Sequence, residues 1–372
     1  MADAGDVSAA APAAGGRRAR AGYIDWLRGL AVLIMILAHV VDSWTVLGPT
    51  RQTRAYFWFM VLAGMGAPLF LWLAGLAVGL AGHARLRRGA SVAAASWALQ
   101  KRGWEVFGLA LLFRLQAYVF SAGATFYGMF KVDILNVLGL SLVAAAWCWG
   151  RGSSRASRIG LAAAATVVVL VLTPFLRVWE WPAAVPDFIA GYLRPPPNRS
   201  TFTLFPWSAF VFAGLVLGEW LATTPADRRG TAWHLRVAAI GIAAGAGAYA
   251  LSFWPTWLPG SRFWTTSPAF FVIRLGAMVA VLGLLFVLLR PGGLWSRLTW
   301  PRRWSPMELL GQTSLFVYWV HVELVYGVVS RPLHKRLSLE MAIVAFAVFT
   351  GLMLGLAMLK SKYWDRHTPW AA

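Results

Sequence analysis

Four ionisable side chains stand along one apolar stretch near the start of the chain: Asp25, Arg28, His39 and Asp42. Wound as an α-helix at 100° per residue, all four fall within an arc of roughly 100°. Titratable groups at membrane depth are costly, so they face a bundle interior and serve ion pairing or chemistry. His39 is the member with reactive chemistry. A neutral imidazole can take a proton from an amine or hydroxyl near neutral pH, or attack a carbonyl itself. His39 lies about 24 Å along the helix from Tyr23, in the outer half of a bilayer. Asp42, three residues on, is placed to orient the ring or bias its charge. Near the opposite end, Arg28 offers a guanidinium suited to phosphate or carboxylate.

A later stretch repeats the pattern. Ser314, Tyr318 and His321 are spaced i, i+4, i+7 on one helical face. His321 is about 22 Å from Pro306, so the two histidines share a depth on helices of one direction. If those helices are neighbours, they line one cavity. Plainer readings stand beside these. A single histidine is more often packed than catalytic. Asp25 and Arg28 suit an ion pair at a helix start, and Ser314 and Tyr318 suit hydrogen bonding between helices. Four titratable groups on one face are harder to explain by packing. Glu105, Arg114, Asp133, Glu219, Arg274 and Glu308 are expected to pair structurally. Arg114 and Arg274 need partners most, and spacing names none.

Stepping these residues through a membrane requires long apolar helices, and the composition supplies them. Of 372 residues, 59% are hydrophobic and 13% charged, against about 25% charged in soluble domains. The apolar residues come in blocks of roughly 20, the length that spans about 30 Å of hydrocarbon. The expected fold is an all-α polytopic membrane helix bundle of about ten transmembrane helices. They are placed at 23–47, 55–82, 103–122, 132–149, 159–178, 203–222, 237–255, 268–290, 306–329 and 338–360. The net charge of +20 sits in short loops. With both termini cytoplasmic, the inner segments hold about twice as many Lys and Arg as the outer ones. That pattern argues against nucleic acid as a partner. Trp26, Trp44, Trp58, Trp104, Trp179, Trp207, Trp220, Trp254, Trp300 and Trp304 fall near helix ends, as indoles prefer; Trp72 and Trp319 lie deeper.

Residues 1–22 show no apolar signal core and read as a disordered cytoplasmic tail, 23–360 as the membrane domain and 361–372 as a basic cytoplasmic tail. The proline-rich segment 179–202 is the long outer loop, and 83–102 suits a short interfacial helix. Cys148, the single cysteine, permits no intrachain disulfide and reads as packing. No phosphate-binding loop, Gly-x-Ser-x-Gly or His-Glu-x-x-His motif occurs, and the histidines lack metal-ligand spacing, so no metal is assigned.

The first helix, Asp25-Trp-Leu-Arg28-Gly29 with His39 eleven residues after the arginine, resembles the opening signature of the heparan-α-glucosaminide N-acetyltransferase-like family. That family sits within the wider transmembrane acyltransferases. Three further stretches are similar to it: Ala67-Pro68-Leu69-Phe70-Leu71 leading to Gly75; Phe205-Pro206-Trp207 leading to Gly214 and Gly218; and Leu310-Gly311-Gln312-Thr313-Ser314 through Tyr318 to His321. The large extracytoplasmic domain of the lysosomal enzyme has no counterpart here. The resemblance implies transfer of an acyl group, usually acetyl, from cytoplasmic acyl-CoA to a sugar, glycan or other amine or hydroxyl acceptor at the outer face. Acetyl-CoA is then a co-substrate and no cofactor is bound. His39, Asp42 and His321 are the expected catalytic group. Arg28 and Arg102 are expected to meet the phosphates of CoA, and Asp25, Ser314 and Tyr318 to meet substrate. The implied setting is the lipid bilayer of a bacterial inner membrane, with a homo-oligomer left open. Two other readings use the same residues: a proton-coupled transporter, since intramembrane His, Asp and Glu also relay protons, and a non-catalytic membrane scaffold.

Overall fold

A computed structural model describes residues 22–120, 126–179, 185–194, 202–256, 258–290, 293–294 and 305–363. The described chain is helical, without strands apart from an isolated bridge between Thr45 and Leu337. The helices in order are α1 (Gly22–Trp44), α2 (Arg54–Ala63), α3 (Gly66–Leu86), α4 (Val92–Phe120), α5 (Phe126–Met129), α6 (Ile134–Arg151), α7 (Arg155–Val178), α8 (Asp187–Leu193), α9 (Leu204–Thr223), α10 (Thr231–Leu251), α11 (Pro268–Leu289), α12 (Pro306–Gln312), α13 (Ser314–Tyr326) and α14 (Leu339–Tyr363). Eight segments are long and apolar enough to cross a membrane, with α2 and α3 counted as one. The chain is an all-α polytopic membrane bundle. The charge-bearing α4 and the broken pair α12–α13 occupy the other two expected spans.

Three spans differ from the sequence reading. The expected helix 103–122 begins at Val92, because the Ala- and Ser-rich stretch before it has no breaker and simply continues the helix. Segment 83–102 is therefore the end of α3, a turn at Gly89 with φ of 87°, and the start of α4, with no separate interfacial helix. The expected helix 55–82 is interrupted at Gly64–Met65, where glycine weakens the ladder. The expected helix 306–329 breaks at Thr313, whose hydroxyl bonds back to the Leu309 carbonyl. The outer loop 179–202 holds α8; its Pro195-Pro196-Pro197 run lies outside the described residues, as do Trp300, Trp304 and residues 1–21.

Helix α1 runs through the interior, packed on α2, α3, α11, α12, α13 and α14. The bundle is joined by small residues that let backbones touch. A Cβ on Gly75 would sit 1.8 Å from the Val211 carbonyl oxygen, and one on Gly214 would sit 1.9 Å from that of Trp72. These contacts lock α3 to α9, and they account for glycines in two of the family-like stretches. Arg158 and His83 both meet the fully buried Glu219 at the end of that helix pair, and the Trp149 indole N–H donates to the same carboxylate at 3.0 Å. Trp72, the deep tryptophan, is fully buried.

Candidate active site

The site is built where α1 meets the broken helix. Gly29 faces the backbone of Met307, and Gly311 faces that of Asp25; an added Cβ would lie 2.1 Å and 2.0 Å from the respective carbonyl oxygens. Any larger residue would hold α1 and α12 apart. At its other end α1 is pinned to α13 and to the segment before α14. The Trp44 indole donates to the Val325 carbonyl at 3.1 Å. The backbone of Arg336 and Leu337 donates to the Trp44 carbonyl at 3.0 and 2.9 Å. With both ends fixed, the depth of His39 on α1 and of His321 on α13 is fixed as well.

The two imidazoles meet. Nδ1 of His39 is 2.7 Å from Nε2 of His321. The ring planes differ by 3° and the centroids are 5.0 Å apart, so the rings lie edge to edge in nearly one plane. Nδ1 of His321 is 2.8 Å from the carbonyl oxygen of Val317, one turn earlier. His321 is 0% exposed, whereas His39 is half-buried. The ring of Tyr326 stands edge-on to His39 at 5.5 Å, and Tyr318 edge-on to His321 at 5.8 Å.

Asp42 does not hold the imidazole. Its carboxylate accepts from Arg51 at 3.4 Å, and the Lys335 ammonium donates to its backbone carbonyl. The i+3 spacing allowed a bond to His39, but the end of α1 turns Asp42 toward the basic outer segment. Asp25 is buried; it accepts from Arg28 at 3.4 Å and from Gln312 at 3.2 Å, and so bridges α1 to the helix break. Arg28 keeps a third of its side chain exposed. Arg102 is more than half exposed and pairs with Glu105 at 3.0 Å, so Glu105 is not a buried group. Ser314 opens α13 at the break, on the turn before Tyr318.

The structure adds partners that spacing did not name. Arg114 pairs with Asp133 at 2.8 Å. The Tyr318 hydroxyl is 3.4 Å from the same carboxylate oxygen. Asp133 was readable as the N-cap of α6, with Asn136 closing a capping box; nothing local tied it to α4 or α13. Trp319, the other deep tryptophan, donates to Gln116 at 2.9 Å. Arg274 lies over the Phe270 ring at 3.9 Å. Tyr326, beside His39, lies outside the i, i+4, i+7 series of Ser314, Tyr318 and His321, so spacing alone does not point to it.

A neutral imidazole that is half-buried, with its second nitrogen held by a buried partner, can accept a proton or attack an acyl carbon. A family model described as heparan-alpha-glucosaminide N-acetyltransferase, catalytic, matches residues 20–259. The match carries α1 and His39 and stops before α11, so His321 reaches the site from beyond it. No curated protein matches the chain.

Proposed function

The chain belongs to the heparan-alpha-glucosaminide N-acetyltransferase catalytic family, and from this we propose that it moves an acetyl group from cytoplasmic acetyl-CoA to an amine or hydroxyl acceptor at the outer face, with His39 as the reacting side chain. The observation that supports this most is the imidazole pair: one ring is half-buried and the other fully buried against it. Nδ1 of His39 is engaged by His321, so Nε2 is the atom left to meet substrate.

Two routes use that nitrogen. In the first, the acceptor attacks the thioester carbonyl while Nε2 removes its proton; the C–S bond breaks and the CoA thiolate is protonated as it leaves. In the second, Nε2 attacks the thioester carbonyl, the C–S bond breaks and CoA leaves as the thiolate; the acetyl-imidazolium then passes its acetyl group to the acceptor, whose released proton balances the thiolate, and neutral His39 is restored. Arg28, on the same face of α1 toward the inner end, is the proposed contact for the phosphates of CoA, with Arg102 a second and more exposed candidate. The acceptor is proposed to be a sugar or glycan, as the family description suggests.

Replacing His39 with Ala tests the reading. The variant is expected to insert and fold, and to lose at least about 10³-fold of acetyl transfer. Full activity in that variant excludes the proposed role. Incubation with radiolabelled acetyl-CoA and no acceptor then separates the routes, since only the second leaves label on the protein. A transport reading draws on the broken helices at Gly64–Met65 and Thr313, since discontinuous helices line many transporter sites. Solute flux without acetyl-CoA turnover decides for it.

A further inference from the structure

We propose that His321 is the positioning residue that sets the tautomer of His39, leaving Nε2 of His39 as the basic nitrogen. This inference rests on the acyltransferase reading above and adds the reason the pair is arranged as it is. The carbonyl oxygen of Val317 can only accept a hydrogen bond. Nδ1 of His321 lies 2.8 Å from it, so that nitrogen carries the hydrogen. A neutral imidazole has one N–H, and Nε2 of His321 is therefore a bare lone pair. That lone pair is 2.7 Å from Nδ1 of His39. Two lone pairs would repel at this distance, so Nδ1 of His39 donates. The one remaining nitrogen, Nε2 of His39, then has its lone pair free. A backbone carbonyl on α13 thus specifies the reactive atom on α1 through two rings.

The surroundings fit this relay. His321 is fully buried and, among the described residues, no carboxylate is hydrogen-bonded to it, so a second cation beside His39 would stand without a bonded anion. The near-coplanar rings place the shared hydrogen in the plane of both lone-pair systems, the geometry a strong bond needs. When Nε2 takes a proton or an acyl carbon, His39 becomes cationic. Its Nδ1–H then donates a charge-assisted bond to His321, stronger than the bond in the ground state. Stabilisation that grows toward the transition state raises kcat more than it lowers KM. His321 cannot reach substrate itself, so its effect is expected through His39 alone. In hydrolases where a carboxylate holds the base, loss of the correct tautomer costs about 10⁴-fold in kcat; a neutral orienter is expected to be worth less.

The test compares His321→Leu with His321→Gln, whose amide oxygen can accept from Nδ1 of His39. Acetyl transfer is measured for kcat and for KM toward acetyl-CoA, and the ring nitrogens are read by ¹⁵N NMR in histidine-labelled protein, with His39→Gln used for assignment. His321→Leu is expected to lose about 100-fold in kcat with KM within about twofold. His321→Gln should recover at least about tenfold of that loss. In wild type the His39 spectrum should show hydrogen on Nδ1 and none on Nε2. Wild-type activity in His321→Leu alongside inactive His39→Ala overturns the inference and leaves the acyltransferase reading standing. Hydrogen on Nε2 of His39 also overturns it. If His39→Ala stays active, the broader reading fails while the NMR assignment still decides the tautomer. Should His321→Leu fail to fold, His321→Gln and the wild-type spectrum decide.

Discussion

At the scale of single residues, exposure divides the roles that type alone leaves mixed. His39 and His321 are the same side chain at the same depth, yet one is half-buried and the other fully buried. Arg28 and Arg102 divide in a similar way. Arg28 stands on the face of α1 that carries the imidazole, partly held by buried Asp25, while Arg102 pairs at the surface with Glu105. Exposed pairs of that kind contribute at most about 1 kcal/mol. Arg28→Gln is therefore expected to raise KM for acetyl-CoA about tenfold or more, the worth of one charge-assisted phosphate contact, and Arg102→Gln by less than about threefold. Steady-state kinetics at fixed acceptor checks both, and a larger effect from Arg102→Gln than from Arg28→Gln would mean the donor lies nearer α4 than α1. The matching depths of His39 and His321 were legible because the rise per residue of a helix is fixed. The partner of His39 was harder. Asp42 sits at a favourable i+3 spacing, but Arg51 and Lys335 arrive from segments whose path no local rule gives.

At the scale of elements, small residues decide which helices touch, and the break at Thr313 decides what they present. Gly29 and Gly311 bring α1 and α12 to backbone contact, and the interruption lets α13 carry His321 past His39. Gly311→Leu is expected to separate the two helices. Overpacking a well-filled interior costs typically 1–3 kcal/mol, and here the clash is with backbone that cannot rotate away. The expected result is a lower unfolding temperature in detergent together with loss of acetyl transfer. A variant that unfolds like wild type would show that α12 is free to shift. Arg114→Met makes a separate test of α4 against α6. It leaves the part-buried Asp133 without its cation, which is expected to cost less than the about 3–5 kcal/mol of a fully buried pair but more than a surface one; an unchanged thermal midpoint would contradict the pairing. The spans themselves were legible from apolar block length. The start of α4 and the two breaks were not, since apolar block length runs past them: the polar Ala- and Ser-rich start of α4 is helical without being apolar, and Gly64 and Thr313 interrupt the ladder inside blocks that stay apolar.

At the scale of the whole molecule, the charge balance gives the bundle a direction. With a net charge of +20 and the basic loops weighted to one side, the positive-inside rule predicts that the Arg28 end of α1 faces the cytoplasm and the His39 end outward. A donor rich in phosphate would enter from inside and be consumed near the outer face. Acetyl transfer should therefore require donor and acceptor on opposite sides of the membrane. Protein reconstituted into sealed vesicles, with its orientation determined by protease protection, allows this to be measured directly with glucosamine as the probe acceptor. Acetyl-CoA is supplied on the side of the Arg28 end and glucosamine on the other, and acetylated glucosamine is assayed in both compartments for wild type and His39→Ala. The account predicts product from wild type only, on the His39 side, and only when acetyl-CoA is on the Arg28 side. Equal product from His39→Ala, or acetyl transfer when both substrates are confined to the Arg28 side, would contradict it.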